Sequence, residues 1–137
     1  MTRPYLQENI NQDGNVERFV ANAATTEFTL SGSGGLIALV DVDNAAGPIT
    51  VFLPLANAAG RNAEVTVQLD SQQDPAPNVP AGVDVTIAGQ TFDGNTDSVE
   101  ASSGVGDPTT FPSGSSSFGG RTYTSNGIDT WVLTAFT

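Results

Sequence analysis

Ala63-Glu64-Val65-Thr66-Val67-Gln68-Leu69 alternates apolar and polar side chains without a break. Val65, Val67 and Leu69 then share one face of an extended segment, and Glu64, Thr66 and Gln68 the other. That period of two is the mark of a half-buried β-strand. Val83-Asp84-Val85-Thr86-Ile87 repeats the pattern. Working outward, residues 27–30, 36–42, 49–53, 97–101, 121–125 and 130–136 also read as strands, from their β-branched, aromatic and apolar content. Turn signals separate them: Ser31-Gly32-Ser33-Gly34-Gly35, Asn44-Ala45-Ala46-Gly47-Pro48, Asp93-Gly94 and Asn126-Gly127. The last two supply residues that tolerate positive φ, as tight hairpins demand. Short strands at this spacing predict an all-β fold, an antiparallel β-sandwich or jelly-roll-like barrel of about eight short strands. After Pro54, residues 55–59 have room for one helical turn at most.

The 137 residues suit one domain, 25–137, preceded by a polar N-terminal arm, 1–24. Within the arm, Val16-Glu17-Arg18-Phe19-Val20 fits a short strand or a helical turn equally; five residues are too few to decide. Arg3 and Tyr5 suit a docking arm, although a frayed terminus fits as well. Two loops interrupt the strand rhythm. Residues 70–82 carry Pro75, Pro77 and Pro80, and residues 102–120 set Phe111 and Phe118 among Ser and Gly. Loops of that length inside a compact domain commonly serve binding. The two rings therefore either plug the end of the sandwich or meet a partner.

Fifteen acids against four arginines give a formal charge of −11, with no lysine. This argues against nucleic-acid binding, which needs a cationic face, and against an anionic membrane surface. It favours solubility, a basic partner surface or bound cations. The longest apolar run, Leu36-Ile37-Ala38-Leu39-Val40, is too short to cross a bilayer. The start of the chain lacks the apolar stretch of a signal peptide. Histidine and cysteine are absent too. The usual general base, the thiol nucleophile, the Schiff-base amine and the common zinc ligands are therefore missing, and no enzymatic role or cofactor is expected. Carboxylate-only glycan hydrolysis survives in principle, but the acids fall mainly in turns and on exposed strand faces. Calcium is the one ion to weigh. Asp41-Val42-Asp43-Asn44 and Asp93-Gly94-Asn95-Thr96-Asp97 gather oxygens, yet neither matches a twelve-residue EF-hand loop. They read better as turn-forming residues bonding their own backbone, with no metal.

An ordered string of motifs carries the functional reading. Ile49-Thr50-Val51-Phe52-Leu53-Pro54 is followed by Ala56-Asn57-Ala58-Ala59-Gly60-Arg61 and the strand Glu64–Leu69. Then come Val85-Thr86-Ile87, Gly89-Gln90-Thr91-Phe92-Asp93-Gly94, Tyr123-Thr124-Ser125-Asn126-Gly127 and Thr130-Trp131-Val132-Leu133. The string resembles small β-domains of bacteriophage virions, the head-decoration and tail-fibre-type structural proteins, over roughly residues 27–136. Phe92 departs from the isoleucine more often found there. Leu53, Pro54, Gly60, Arg61, Asp93, Gly94, Asn126, Gly127 and Trp131 all have scaffold explanations. Proline ends a strand because it cannot donate to the ladder. Gly60 permits the turn into the next strand, Arg61 pairs with a carboxylate or caps carbonyls, and Trp131 packs in the core or at a subunit contact. The resemblance implies a homotrimeric capsid decoration (cement) protein on the virion surface. It would bind the major capsid protein across subunit junctions and stabilise the head. The alternative is a tail-fibre or spike component for host attachment; 137 residues favour the first. Arg3, Tyr5, Arg18, Phe19, Phe111 and Phe118 are the candidate partner contacts.

Overall fold

The computed structural model describes residues 15–31, 35–70, 80, 82–101, 109–111 and 120–136. The described residues are all-β, with one helical turn. The strands are β1 (Asn15–Val20), β2 (Glu27–Thr29), β3 (Leu36–Asp41), β4 (Ile49–Phe52), β5 (Arg61–Leu69) and β6 (Val85–Ala88). They continue with β7 (Thr91–Phe92), β8 (Asn95–Thr96), β9 (Ser98–Ala101), β10 (Thr110–Phe111), β11 (Gly120–Asn126) and β12 (Thr130–Phe136). The helical turn α1 (Ala56–Ala59) follows Pro54. Each of the eight segments read as strands from the sequence is a strand here, and β1, β7, β8 and β10 are additional.

Two mixed sheets form the body. A six-stranded sheet has the order β1-β3-β5-β11-β12-β9, and a four-stranded sheet has the order β10-β6-β4-β2. The first six strands alternate between the sheets. β1, β3 and β5 lie parallel in one, and β2, β4 and β6 parallel in the other. The chain thus winds as a short solenoid of three coils. The hairpin β11–β12 and strand β10 then close it with antiparallel pairing onto β5 and β6, while β9 pairs parallel with β12. This corrects the antiparallel expectation. Alternation of period two is the same in parallel and antiparallel strands, so it says which face is buried and not which strand is the neighbour. Parallel neighbours need a long crossover. Here each crossover is a strand of the opposite sheet, which turn-like linkers such as residues 43–48 had disguised as hairpin partners.

The inward faces of both sheets supply one core. Leu36, Ala38, Val40, Val65, Val67, Leu69, Tyr123, Trp131 and Leu133 come from the larger sheet, and Ile49, Val51, Val85, Ile87 and Phe111 from the smaller. Outward positions of the larger sheet are rich in threonine. The Thr66 and Thr122 hydroxyls pair at 2.8 Å, and those of Thr124 and Thr134 at 2.9 Å, as cross-strand neighbours do.

The structure draws part of the arm into the domain. β1 pairs along its whole length with β3, and Ala21 is buried, its N–H donating to the Asp41 carbonyl. The boundary at residue 24 therefore moves back: a truncation that spares the fold must end before Asn15. Arg3 and Tyr5 lie outside the described residues.

Candidate functional site

Several motifs of the string meet in one hydrogen-bonded network. The Trp131 indole N–H donates to the carbonyl of Pro54 at 2.8 Å, joining the last strand to the residue that ends β4. The Gln90 side-chain amide donates to the carbonyls of both Leu53 and Leu30 at 2.9 Å, tying the ends of β4 and β2. Ala56 N–H, the first of α1, donates to the Asp97 carboxylate at 2.8 Å, which satisfies one of the donors that a helix start leaves open. The Ser125 hydroxyl donates to the Ala56 carbonyl at 2.9 Å and accepts from Gly127 N–H at the same distance. Asn126 Oδ1 accepts the N–H groups of Ile128, Asp129 and Thr130 at 2.8–3.0 Å and so shapes the turn into β12.

Two glycines let the backbones meet. A Cβ on Gly127 would stand 2.9 Å from both the Cβ and the amide nitrogen of Arg61, and Gly127 has φ +79°. The Gly60-Arg61 and Asn126-Gly127 motifs are therefore two halves of one contact. A Cβ on Gly89 would overlap the Asp97 carbonyl oxygen. Asp93 and Gly94, at φ +53° and +80°, make the turn between β7 and β8, as their sequence predicts.

Beside this network lies a polar cleft of about 510 Å3 between the β7–β8 hairpin, α1 and the β11–β12 turn. Asp93, Asp97 and Asp129 line it, together with Phe92 and Ile128, which are 65% and 69% exposed. A second groove of about 350 Å3 bears Arg61, Asn62, Thr124 and Thr134, and Ile128 borders both. The Asn126 amide, at 3.2 Å, and the Thr130 hydroxyl, at 2.9 Å, donate to Asp129 and hold its carboxyl below the ordinary value of 3.8. A depressed carboxyl contributes stability above its unfolded pKa and loses it as pH falls through the folded one. The melting temperatures of the wild type and Asp129→Ala should accordingly differ at neutral pH. They should converge as acid takes the solution below 3.8 and on through the lower folded pKa. A gap that stays constant through that window would refute the assignment; calorimetry over a pH series checks it.

The residues assigned to partner contact fare differently. Phe111 is 5% exposed, and the Arg121 guanidinium sits 3.9 Å above its ring. Phe111 therefore plugs its own domain and offers no free surface. Arg18 bridges the carboxylates of Asp41 and Asp70, both at 2.7 Å. Phe19 packs on Phe28, with ring centroids 5.4 Å apart, against the core. All three brace their own domain; Phe111 is buried, Phe19 is half-buried, and Arg18 remains exposed while it holds the two carboxylates. Phe118 lies outside the described residues. Asp41 also accepts from Asp43 N–H at 3.0 Å, the local turn read from the sequence. Burial pushes the Asp41 carboxyl up despite Arg18. Among the described residues no group of three or more His, Cys, Asp or Glu side chains is placed to hold a metal ion, and no helix is long and apolar enough to cross a membrane.

The Arg61 side chain is exposed and makes no hydrogen bond or ion pair to a described residue, contrary to the pairing expected of it. Gln90, Ser125 and Asp97 hold the network together; sequence reasoning placed the first two in the motif string and Asp97 in a turn, with no link between them. The one signal for them was Gly89, an isolated glycine between strand-like segments, which marks close backbone approach. No family model matches the chain, and no curated protein is significantly similar to it.

Proposed function

We propose that the chain is a bacteriophage virion structural protein, a capsid decoration protein that binds the outer surface of the major capsid protein as a homotrimer and stabilises the head. The observation that carries this reading is the hydrogen-bonded network that joins Leu53-Pro54, Ala56, Gln90, Ser125-Asn126-Gly127 and Trp131, residues of separate motifs of the string. Pro54, Gly127 and Trp131 are spent on holding strands together, as a scaffold requires, and they belong to the motifs on which the resemblance to phage β-domains rests. The acidic composition suits a basic partner surface. Seated over a junction of capsid subunits, such a body adds contact area across it and opposes their separation, with no chemical step.

Gold labelling of intact particles with an antibody to this protein tests the reading. A regular array of label over the head is the expected result. Label confined to the tail tip or fibres would overturn the capsid assignment and leave the attachment role. An unlabelled particle would overturn both.

A further inference from the structure

We infer that Arg61 of one copy docks in the acidic cleft of the next copy around a three-fold axis, with Ile128 at the axis; this rests on the homotrimer reading above. Three observations lead to it. First, two grooves of opposite charge flank one exposed apolar residue. The carboxylates of Asp93, Asp97 and Asp129 lie on one side of Ile128, and the guanidinium of Arg61 on the other. Second, the described arginines divide sharply. Arg18 is held by two aspartates, and Arg121 by the Thr110 carbonyl and the Phe111 ring. Among them the Arg61 guanidinium alone stands exposed with no hydrogen bond or ion pair to a described residue. Third, Phe92 and Ile128, the most exposed large apolar side chains of the described residues, both border the acidic cleft. Exposed apolar surface rimmed by polar groups marks an interaction site.

The occupant follows from charge. Copies carrying −11 each repel one another, so they associate where a cation of one meets carboxylates of another. Arginine suits this contact because its planar fork meets a carboxylate with two donors while its stem lies along apolar surface. The two grooves are different patches, so the contact between copies is heterologous and closes into a ring when the rotation allows. They also share Ile128, so each copy enters as a wedge whose tip is that residue. Three such wedges bring three Ile128 side chains and the neighbouring Phe92 rings together and bury them.

Light scattering on the full chain, over a dilution series and at two salt concentrations, tests the assignment. The wild type should be trimeric. Arg61→Glu and Ile128→Glu should each raise the dissociation concentration about tenfold or more, equivalent to about 1.4 kcal/mol. Arg61→Glu combined with Asp93→Arg should regain trimer, and added salt should weaken the wild type. Both single changes are at exposed side chains, and circular dichroism confirms their folding. If both single variants keep the wild-type mass at every dilution, the interface lies elsewhere and this inference fails while the trimer stands. A monomeric wild type would defeat the trimer reading itself.

Discussion

Trp131→Ala is expected to destabilise the protein by about 3–5 kcal/mol, the cost of emptying a buried tryptophan site. Trp131 is fully buried on β12, beside Ser125 of β11 and Val99 of β9 in the ladder, and it is the largest of the fully buried side chains. Its indole N–H is also the partner of the buried Pro54 carbonyl. Truncation removes apolar contacts from three strands and leaves that carbonyl without its donor. Domains of this size are stable by only about 5–15 kcal/mol, so the variant loses a large part of its margin. Trp131→Phe separates the two effects. It keeps most of the ring volume and loses the hydrogen bond, for about 1–3 kcal/mol. Urea unfolding followed by circular dichroism checks both, because the chain's single tryptophan is the residue removed. Protein concentration must be matched, since association adds to apparent stability. A Trp131→Ala variant within about 1 kcal/mol of the wild type would show that the ring does not anchor the core.

Much of the fold was legible because burial imposes its period on the chain. β5 reads directly from Val65, Val67 and Leu69, and the turn between β7 and β8 from Asp93-Gly94. The helical turn after Pro54 was readable for a similarly local reason. Strand pairing was not, since the same alternation serves parallel and antiparallel neighbours. β1 was undecided because Val16-Glu17-Arg18-Phe19-Val20 is short and its Val16 and Val20 remain exposed at the sheet edge. β10 has two residues and carries no period at all. The candidate site was harder still. Arg18, Phe19 and Phe111 look like docking residues by type, yet each is engaged within its own domain by Asp41 and Asp70, Phe28 or Arg121. Those partners are distant in sequence or separated by a loop, so composition does not announce them. The cleft has the same origin. Phe92, Asp97 and Ile128 come from the β7 strand, the β8–β9 link and the β11–β12 turn, and meet only because Gln90 and Asp97 dock one hairpin on the rest.

That docking makes Gly89→Ala the most severe glycine-to-alanine change expected among the described residues. Gly89 follows β6 and is buried. An added Cβ would collide with the Asp97 carbonyl oxygen, with the carbonyl carbon at 2.7 Å and the Asp97 Cβ at 2.9 Å. The colliding atoms are backbone, so no flexible side chain can swing away. Relief requires the Asp97 segment to move. That segment is pinned by Asp97 N–H donating to the Gln90 carbonyl at 3.0 Å, by the Asp97 carboxylate accepting from Ala56 N–H, and by Ser98 N–H donating to the Asp129 carbonyl at 2.8 Å. Moving it strains all three and shifts Gln90, which spans Leu30 and Leu53. A loss of about 4 kcal/mol or more follows, in the range kept for strain and broken buried networks. Gly47→Ala is the control. Nothing lies within 4 Å of a Cβ there and its φ is not left-handed, so it should be neutral or stabilise by about 0.4–1 kcal/mol through the unfolded chain. Parallel thermal melts of the two variants decide the matter. If Gly89→Ala melts with Gly47→Ala, the Asp97 segment is not seated against β6, and the acidic cleft has no fixed floor. If it melts far below, the hairpin carrying Phe92 and Asp93 is held rigidly against the core, as the proposed contact between copies requires.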